Sequence, residues 1–278
     1  MRRPKSLALA PSRVAIVIPQ KSVPRELLVT AADAYEAIGR RLEEAGSEFL
    51  ASYGYIAAAE IDSLNKVLLN SWGGPFNGQD LRRELFWRVV NELSVEIIVE
   101  TGTFRATTTE HVAQRFMGPI YTCEINGRYF EYSKKRLEPF PNVYIERIDS
   151  RVFLRHLFKT NALSQRVVLF YLDAHWNGQF PFREELAVIV RHRVKGLIMV
   201  DDFQVPFDPG YGFDDYGQGN KLTVEILYPY REELKTAYFP TDSASRESGM
   251  RRGTVLCALT ADLSQLLSKI PSLRPWQL

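Results

Sequence analysis

Apolar and polar residues follow two different periods along this chain. From Arg25 to about Asn70, apolar side chains recur every three or four residues, which predicts amphipathic helices. Gly, Pro, Asn and Asp are concentrated in residues 71–80 and predict a break before helical spacing resumes. The pattern therefore predicts an N-terminal arm and helical extension over residues 1–75, followed by a main domain over residues 76–278.

After Ser94, short β-branched runs alternate with helical stretches, which indicates successive β-α units. Several runs are apolar throughout, as expected for parallel strands covered by helices on both faces. Beyond residue 222, a helical stretch precedes two runs with only a polar loop between them, which predicts an antiparallel hairpin. The expected fold is a Rossmann-like, doubly wound α/β sheet of seven mostly parallel strands that ends in this hairpin. The predicted parallel strands are 95–101, 120–125, 143–148, 167–173 and 197–202.

The amino-acid composition indicates which kinds of partner are not expected. The net charge is +2, with 35 basic residues spread among 33 acidic ones, so we expect neither nucleic acid nor an anionic membrane as partner. The apolar runs fall short of the roughly 20 residues that span a bilayer. The basic and apolar start of the chain imitates a signal peptide, but Pro11 and Arg13 interrupt it, so we interpret it as a flexible or strand-like arm.

The two cysteines, Cys123 and Cys257, both lie in apolar runs that resemble strands. Buried reduced thiols are therefore expected in preference to a disulfide. This cysteine usage favours a cytoplasmic location.

Each predicted parallel strand ends in an acidic residue. Ligands of an open α/β sheet bind beyond the carboxyl ends of its strands. A single acid at such a place could cap a helix or a turn, but capping alone does not explain five in succession. The acids are Glu100, Glu124, Asp149, Asp173 and the pair Asp201 and Asp202.

The turn after the first strand, VETGTFRATTT, resembles the leading motif of class I S-adenosylmethionine-dependent methyltransferases. The matching residues are Glu100, Gly102, Ala106 and Thr108. The resemblance implies that S-adenosylmethionine binds along this turn, and we include Thr101 and Thr103 in the predicted cofactor site. The G-x-G-x-x-G pattern of dinucleotide sites is missing, because the turn holds one glycine.

Two further strand ends, together with Asp173 after the fourth strand, complete the predicted cofactor site. Glu124 lies 22 residues after Gly102, where a ribose-binding acid is expected. By the resemblance, Asp149 and Ser150 lie near the adenine, with Asp149 accepting a hydrogen bond from its exocyclic amine. The alternative for Asp149 and Ser150 is a helix N-cap.

The segments YLDAHW and VDDF resemble those of TylF/macrocin-type O-methyltransferases, which act on hydroxyls of sugars and antibiotic scaffolds. This resemblance implies that Asp173, Asp201 and Asp202 hold a magnesium ion. Neighbouring strand residues point to opposite faces, so Asp201 and Asp202 share an ion only if the strand has turned; the alternative is a pair that stabilises the loop. His175 is the predicted catalytic base by its position, with Asp173 as the alternative.

Residues 203–221 form a long loop rich in glycine, aspartate and aromatic residues. Such loops are often lids or binding loops, and the alternative is a packed surface loop. Trp72 and Trp176 have the same two interpretations, with core packing favoured.

These features together predict a metal-assisted O-methyltransferase for a small hydroxylated metabolite, with the N-terminal helices forming part of the acceptor pocket or a homodimer contact. The alternatives are a nucleotide- or dinucleotide-using α/β enzyme and a catalytically silent binding module.

Overall fold

The computed structural model describes residues 23–175 and 178–278. The predicted N-terminal arm up to residue 22 and Trp176 lie outside the described residues. The chain divides into two compact units, one ending at Asn65 and the other formed by Lys66–Leu278. This division precedes the break predicted around residue 75, because the 3-10 turns at Lys66–Gly73 pack against those at Pro75–Gly78.

The helices of the first unit pack closely through small residues. An ideal Cβ on Gly54 would lie 2.8 Å from the Cα of Gly39, so α1 and α2 approach each other at these two glycines. Ala32 and Ala58 are buried in the same contact region. None of the helices in the described part of the chain is both long and apolar enough to cross a membrane. The described helices are α1 (Arg25–Glu44), α2 (Glu48–Ser63), α3 (Asp80–Glu92), α4 (Thr107–Ala113), α5 (Gly127–Leu137), α6 (Ser150–Lys159), α7 (Phe182–His192), α8 (Arg231–Leu234) and α9 (Ala261–Leu267).

The second unit is built on one sheet with the strand order β3-β2-β1-β4-β5-β7-β6-β8. The first five strands of this order are parallel, and β6, β7 and β8 are antiparallel to their neighbours. The Rossmann-like fold and the antiparallel pairing of β6 with β7 are therefore confirmed. The strands are β1 (Ile97–Thr101), β2 (Ile120–Cys123), β3 (Val143–Glu146), β4 (Val168–Leu172), β5 (Gly196–Val200), β6 (Thr236–Pro240), β7 (Val255–Ala258) and β8 (Leu273–Gln277).

The sheet has one strand more than the seven predicted. β8 pairs with β6 and, among the residues that the structure describes, forms the edge of the sheet. Its sequence LRPWQ contains Pro275, which has no N–H to donate and is tolerated at an edge strand. Because β8 contains this proline and few apolar residues, the pattern of apolar runs did not predict it as a strand.

Burial explains the unbroken apolar runs of the central strands. All residues of β1, β4 and β5 are buried, because hydrophobic side chains cover the sheet on both of its faces. Cys123 and Cys257 are free thiols inside this core, as predicted. The continuous helix expected after residue 222 is instead two short 3-10 turns and the four-residue α8, interrupted at Pro229.

Candidate cofactor and acceptor site

The turn between β1 and α4 is held tightly against the ends of two neighbouring strands. The N–H groups of Gly102 and Thr103 both donate to the carbonyl oxygen of Cys123, at 3.1 and 3.0 Å. Gly102 has a φ of +84°, and a Cβ at this position would lie 2.4 Å from the carbonyl oxygen of Asp173. Only glycine satisfies both the conformation and the close approach, so the turn brings the ends of β1, β2 and β4 together.

Glu124 follows β2 and lies against the same turn. One carboxylate oxygen accepts from the N–H of Asn126 and the other from the N–H of Phe104, both at 2.8 Å. Burial raises the pKa of Glu124, although these N–H donors oppose the shift. Each oxygen has a second lone pair, so the fixed carboxylate keeps acceptors for a ligand.

Glu100, predicted to bind the cofactor, is buried inside the turn. Its Oε2 accepts from the hydroxyls of Thr109 and Thr122, at 2.6 Å each. Burial raises the pKa of Glu100 to about 7. These bonds connect α4 to β2 through Glu100 of β1. The described contacts of Glu100 therefore stabilise the turn.

The threonines of the predicted cofactor site also make contacts inside the protein. The hydroxyls of Thr103 and Thr122 lie 2.6 Å apart, and the hydroxyl of Thr108 accepts from the N–H of Phe76 at 3.0 Å. The hydroxyls of Thr101 and Ser150 lie beside the carboxyl group of Glu185, a fully buried residue of α7 whose pKa burial raises to about 7. The predicted residues converge on one end of the sheet, but several of them support the turn rather than line an opening.

Asp149 caps helix α6, which is one of its two predicted roles. Its carboxylate accepts from the N–H of Arg151 at 2.9 Å and from the Arg151 guanidinium at 2.9 and 2.6 Å. These hydrogen bonds lower the pKa of Asp149. Its predicted role at the adenine remains a prediction.

The two acids after β5 have different partners. Asp202 has a φ of +53°, so the chain has turned out of the strand at this residue. Asp201 is buried and paired with the guanidinium of Arg82 from α3, and its other oxygen accepts from the hydroxyl of Tyr171 at 2.8 Å. Burial would raise the pKa of Asp201, but the charge and hydrogen bond of Arg82 hold it below its usual value.

Asp202 faces a second arginine and the end of β4. Its Oδ1 accepts from Nε of Arg252 at 2.7 Å, and Arg252 also pairs with Asp214 of the following loop. Burial and the nearby Asp201 carboxylate raise the pKa of Asp202 to about 7. The chain has therefore turned after β5, which is the condition for a shared ion, but Asp201 and Asp202 are engaged by different arginines.

Asp173, His175 and Asp202 form a compact cluster in which one ligand atom from each residue lies within 4.8 Å of the others. Nε2 of His175 lies 4.0 Å from Oδ1 of Asp173 and 3.7 Å from Oδ2 of Asp214. Burial lowers the pKa of His175, and burial together with the Asp201 and Asp202 carboxylates raises that of Asp173. The side chain of His175 is 2% exposed and that of Asp173 is 34% exposed, so Asp173 forms the accessible side of the cluster.

Sequence reasoning missed the arginines that balance these acids. Arg82 is separated from Asp201 by 119 residues, and local spacing gives no sign of their contact. A count of charge would have indicated that some partner exists, because several carboxylates brought to adjacent strand ends require cations. Asp214 was also missed, since it stands among several polar residues of a loop.

The loop 203–221 is pinned to the domain by backbone hydrogen bonds. The N–H of Asp214 donates to the carbonyl of Asp202, and the N–H of Gly212 to that of Arg251, both at 2.9 Å. Tyr211 is buried, which fits the predicted alternative of a packed loop, whereas Tyr216 is half-buried and donates to Asp214 at 2.6 Å. Trp72, for which core packing was favoured, is instead 49% exposed.

The fold of this chain is similar to that of solved methyltransferase structures. The O-methyltransferase from Bacillus cereus in complex with S-adenosylhomocysteine is 12% identical, with a TM-score of 0.50 over 82% of this chain and 100% of that one. This chain therefore has the fold of the class I S-adenosylmethionine-dependent methyltransferases.

Two other solved structures are similar at a lower TM-score. TomG from Streptomyces achromogenes, an O-methyltransferase involved in tomaymycin synthesis, is 16% identical over 65% of this chain and 80% of its own, with a TM-score of 0.44. CalS10 from Micromonospora echinaspora, an amino pentose methyltransferase, is 14% identical over 65% of this chain and 91% of its own, with a TM-score of 0.44. No protein-family profile and no curated protein sequence matches this chain.

Proposed function

We propose that this protein transfers the methyl group of S-adenosylmethionine to a hydroxyl of a small metabolite. The observation that carries the proposal is the convergence of Gly102, Glu124 and Asp173 at one end of the parallel sheet. The similar Bacillus cereus structure has S-adenosylhomocysteine bound to the same fold, which supports the choice of cofactor.

The residues at this end of the sheet fit the parts of the cofactor. Glu124 presents a fixed carboxylate whose remaining lone pairs suit the two ribose hydroxyls. The turn at Gly102 has no Cβ, so its backbone can approach the amino-acid portion closely. Asp149 and Ser150 follow β3 on the side where the adenine would lie. When bound, the cofactor would supply an electrophilic methyl group on its sulfonium.

Asp173 is the residue that a hydroxyl acceptor can reach. In the proposed reaction the acceptor oxygen attacks the sulfonium methyl, the sulfur–carbon bond breaks, and a carboxylate oxygen of Asp173 takes the hydroxyl proton. His175 was the base favoured by its position in the sequence. Its side chain is almost completely buried, whereas that of Asp173 is partly open, so accessibility favours Asp173.

The divalent ion implied by the resemblance does not fit the predicted set of three aspartates. A ligand must offer a free lone pair toward the ion, but both oxygens of Asp201 are engaged by Arg82 and Tyr171. Each Asp201 oxygen accepts twice, because Oδ1 also accepts from the N–H of Asp202 and Oδ2 also accepts from the Asn77 amide. Asp173 and Asp202 have no such obstacle on the side they share with His175. Metal assistance, if it is to act at the acceptor, therefore needs a different third ligand.

Thermal-shift titration tests the proposed cofactor. S-adenosylhomocysteine at 100 times its dissociation constant should stabilise the protein by about 2.7 kcal/mol, and NAD should produce no shift at the same concentration. Stabilisation by NAD alone would favour a dinucleotide-using enzyme. Absence of any shift with either ligand would favour a catalytically silent module.

A further inference from the structure

We propose that Asp173, His175 and Asp202 bind a divalent transition-metal ion, with His175 as the third ligand in place of Asp201. The proposed ion binding depends only on the arrangement of these three residues. Its use in activating an acceptor hydroxyl rests on the proposed methyl transfer.

The backbone at the ends of two adjacent strands brings these ligands together. Asp173 and His175 follow β4, and Asp202 follows β5, which pairs with β4 in parallel. At Asp202 the chain has left the extended conformation of β5. One ligand atom from each residue then lies within 4.8 Å of the others, a spacing that a central ion would draw together, since metal–ligand bonds are about 2.0–2.2 Å long.

His175 supplies the second and independent sign of a ligand. Its Nε2 is buried and has no hydrogen-bond partner among the residues that the structure describes. A buried polar atom without a partner is costly. The nearest carboxylate oxygens, on Asp214 and Asp173, stand 3.7 and 4.0 Å away, too far for a hydrogen bond but close enough to share an ion with Nε2.

The charges around the cluster also suit a divalent cation. Arg82 and Asp201 form a neutral pair of their own. Asp173, Asp202 and Asp214 carry three negative charges when ionised, and Arg252 contributes one positive charge beside two of them, which leaves 3 − 1 = 2 negative charges. Arg252 occupies Oδ1 of Asp202, so the second oxygen of that carboxylate is the one for the ion.

An imidazole ligand changes which metal the site should prefer. Magnesium favours oxygen donors, whereas imidazole suits ions such as zinc, iron and cobalt. A site with one nitrogen and two carboxylates should therefore bind a first-row transition ion more tightly than magnesium. This selectivity distinguishes the cluster from the three-aspartate magnesium site that the resemblance implied.

Isothermal titration of the chelator-treated full chain with cobalt(II) and magnesium tests the site. We expect one cobalt ion per chain, bound at least about tenfold more tightly than magnesium. His175→Ala should weaken cobalt binding at least about tenfold, while His156→Ala, which removes an exposed histidine of α6, should leave it unchanged. Equal cobalt affinity in the wild type and His175→Ala would overturn the proposal.

A spectroscopic measurement avoids reliance on the folding of the variants. Pulsed electron paramagnetic resonance of the wild-type chain loaded with manganese(II) should detect coupling to an imidazole nitrogen. A bound ion coupled to no nitrogen would exclude His175 as a ligand. S-adenosylhomocysteine binding, measured separately by calorimetry, keeps the two proposals apart. Binding of the nucleoside without cobalt would refute only the metal site, and binding of cobalt without the nucleoside only the methyltransferase assignment.

Discussion

Arg82 of α3 donates from its guanidinium to the carboxylate of Asp201 after β5, and the side chains are only 2% and 1% exposed. The same guanidinium donates to the carbonyl of Arg252. This buried pair links helix α3 of the second unit to the end of the sheet where the acids converge. It fixes Asp201 as part of the framework of the site.

Removal of Arg82 tests this structural role. Arg82→Met should lower the free energy of unfolding by roughly 3–5 kcal/mol, because it leaves the Asp201 carboxylate buried without its partner. The double variant Arg82→Met/Asp201→Asn should lose less than the sum of the two single variants. Urea denaturation measures all three.

Arg83 provides the matched control for this cycle. It pairs with Asp80 in the same helix, but both side chains are substantially exposed. Arg83→Met should therefore change stability by less than about 1 kcal/mol. A similar decrease in the free energy of unfolding for Arg82→Met and Arg83→Met would show that the buried pair stabilises the fold no more than the exposed pair.

The close approach at Gly102 gives a second prediction. Gly102→Ala should destabilise the fold and weaken S-adenosylhomocysteine binding at least about tenfold, because its Cβ would lie 2.4 Å from the Asp173 carbonyl oxygen. Gly219→Ala is the control, since Gly219 has a φ of +81° with no atom within 4 Å of the added Cβ. Calorimetry of both variants separates the contact from the backbone conformation. Equal binding by the two variants would show that the close approach of residue 102 to the Asp173 carbonyl does not affect binding.

Asp149 can be tested for each of its two predicted roles. Serine is also a good N-cap, so Asp149→Ser should retain helix capping and most of the stability. It should weaken S-adenosylhomocysteine binding by about tenfold, as expected for the loss of a charged hydrogen bond worth about 1.5 kcal/mol. Unchanged affinity, measured by calorimetry, would leave Asp149 with the capping role alone.

Glu185 should make stability depend on pH. Its pKa is about 7 in the folded protein against an ordinary 4.5, so the folded state retains a proton that the unfolded state releases as the pH rises between these values. Stability from this group is therefore complete below pH 4.5 and falls until about pH 7, by roughly 3 kcal/mol.

Glu185→Gln should remove this part of the decline. Urea denaturation of the variant at pH 5 and pH 8 should show a smaller difference in unfolding free energy than the wild type. Glu100 has a similarly raised pKa and should preserve some of the decline in both proteins. Identical pH profiles would contradict the assignment of a buried, protonated Glu185.

The parallel strands could be predicted because strands that are buried on both faces consist mostly of apolar residues. β4 and β5 are apolar runs, β1 is apolar up to Val99, and all residues of these strands are buried. β8 has no such apolar run, since it is an edge strand with a proline. The 3-10 turns after residue 222 were mistaken for a helix because their apolar spacing is helical, although Pro229 interrupts it.

The location of the site was predictable, but its internal pairing was not. Strand topology alone brings Glu124, Asp173 and Asp202 to one end of the sheet. Whether an acid faces a ligand or an arginine depends on tertiary contacts such as that between Arg82 and Asp201. The different partners of Asp201 and Asp202 similarly depend on the turn at Asp202 and on arginines distant in the sequence, which a pair of identical residues does not reveal.

A crystal structure of the protein with S-adenosylhomocysteine is the most direct test of the account. It should show the nucleoside at the carboxyl ends of β1 and β2, with the ribose hydroxyls donating to the carboxylate of Glu124 and the amino-acid portion against the Gly102 turn. A nucleoside bound away from Glu124 and Gly102 would contradict the proposed cofactor site.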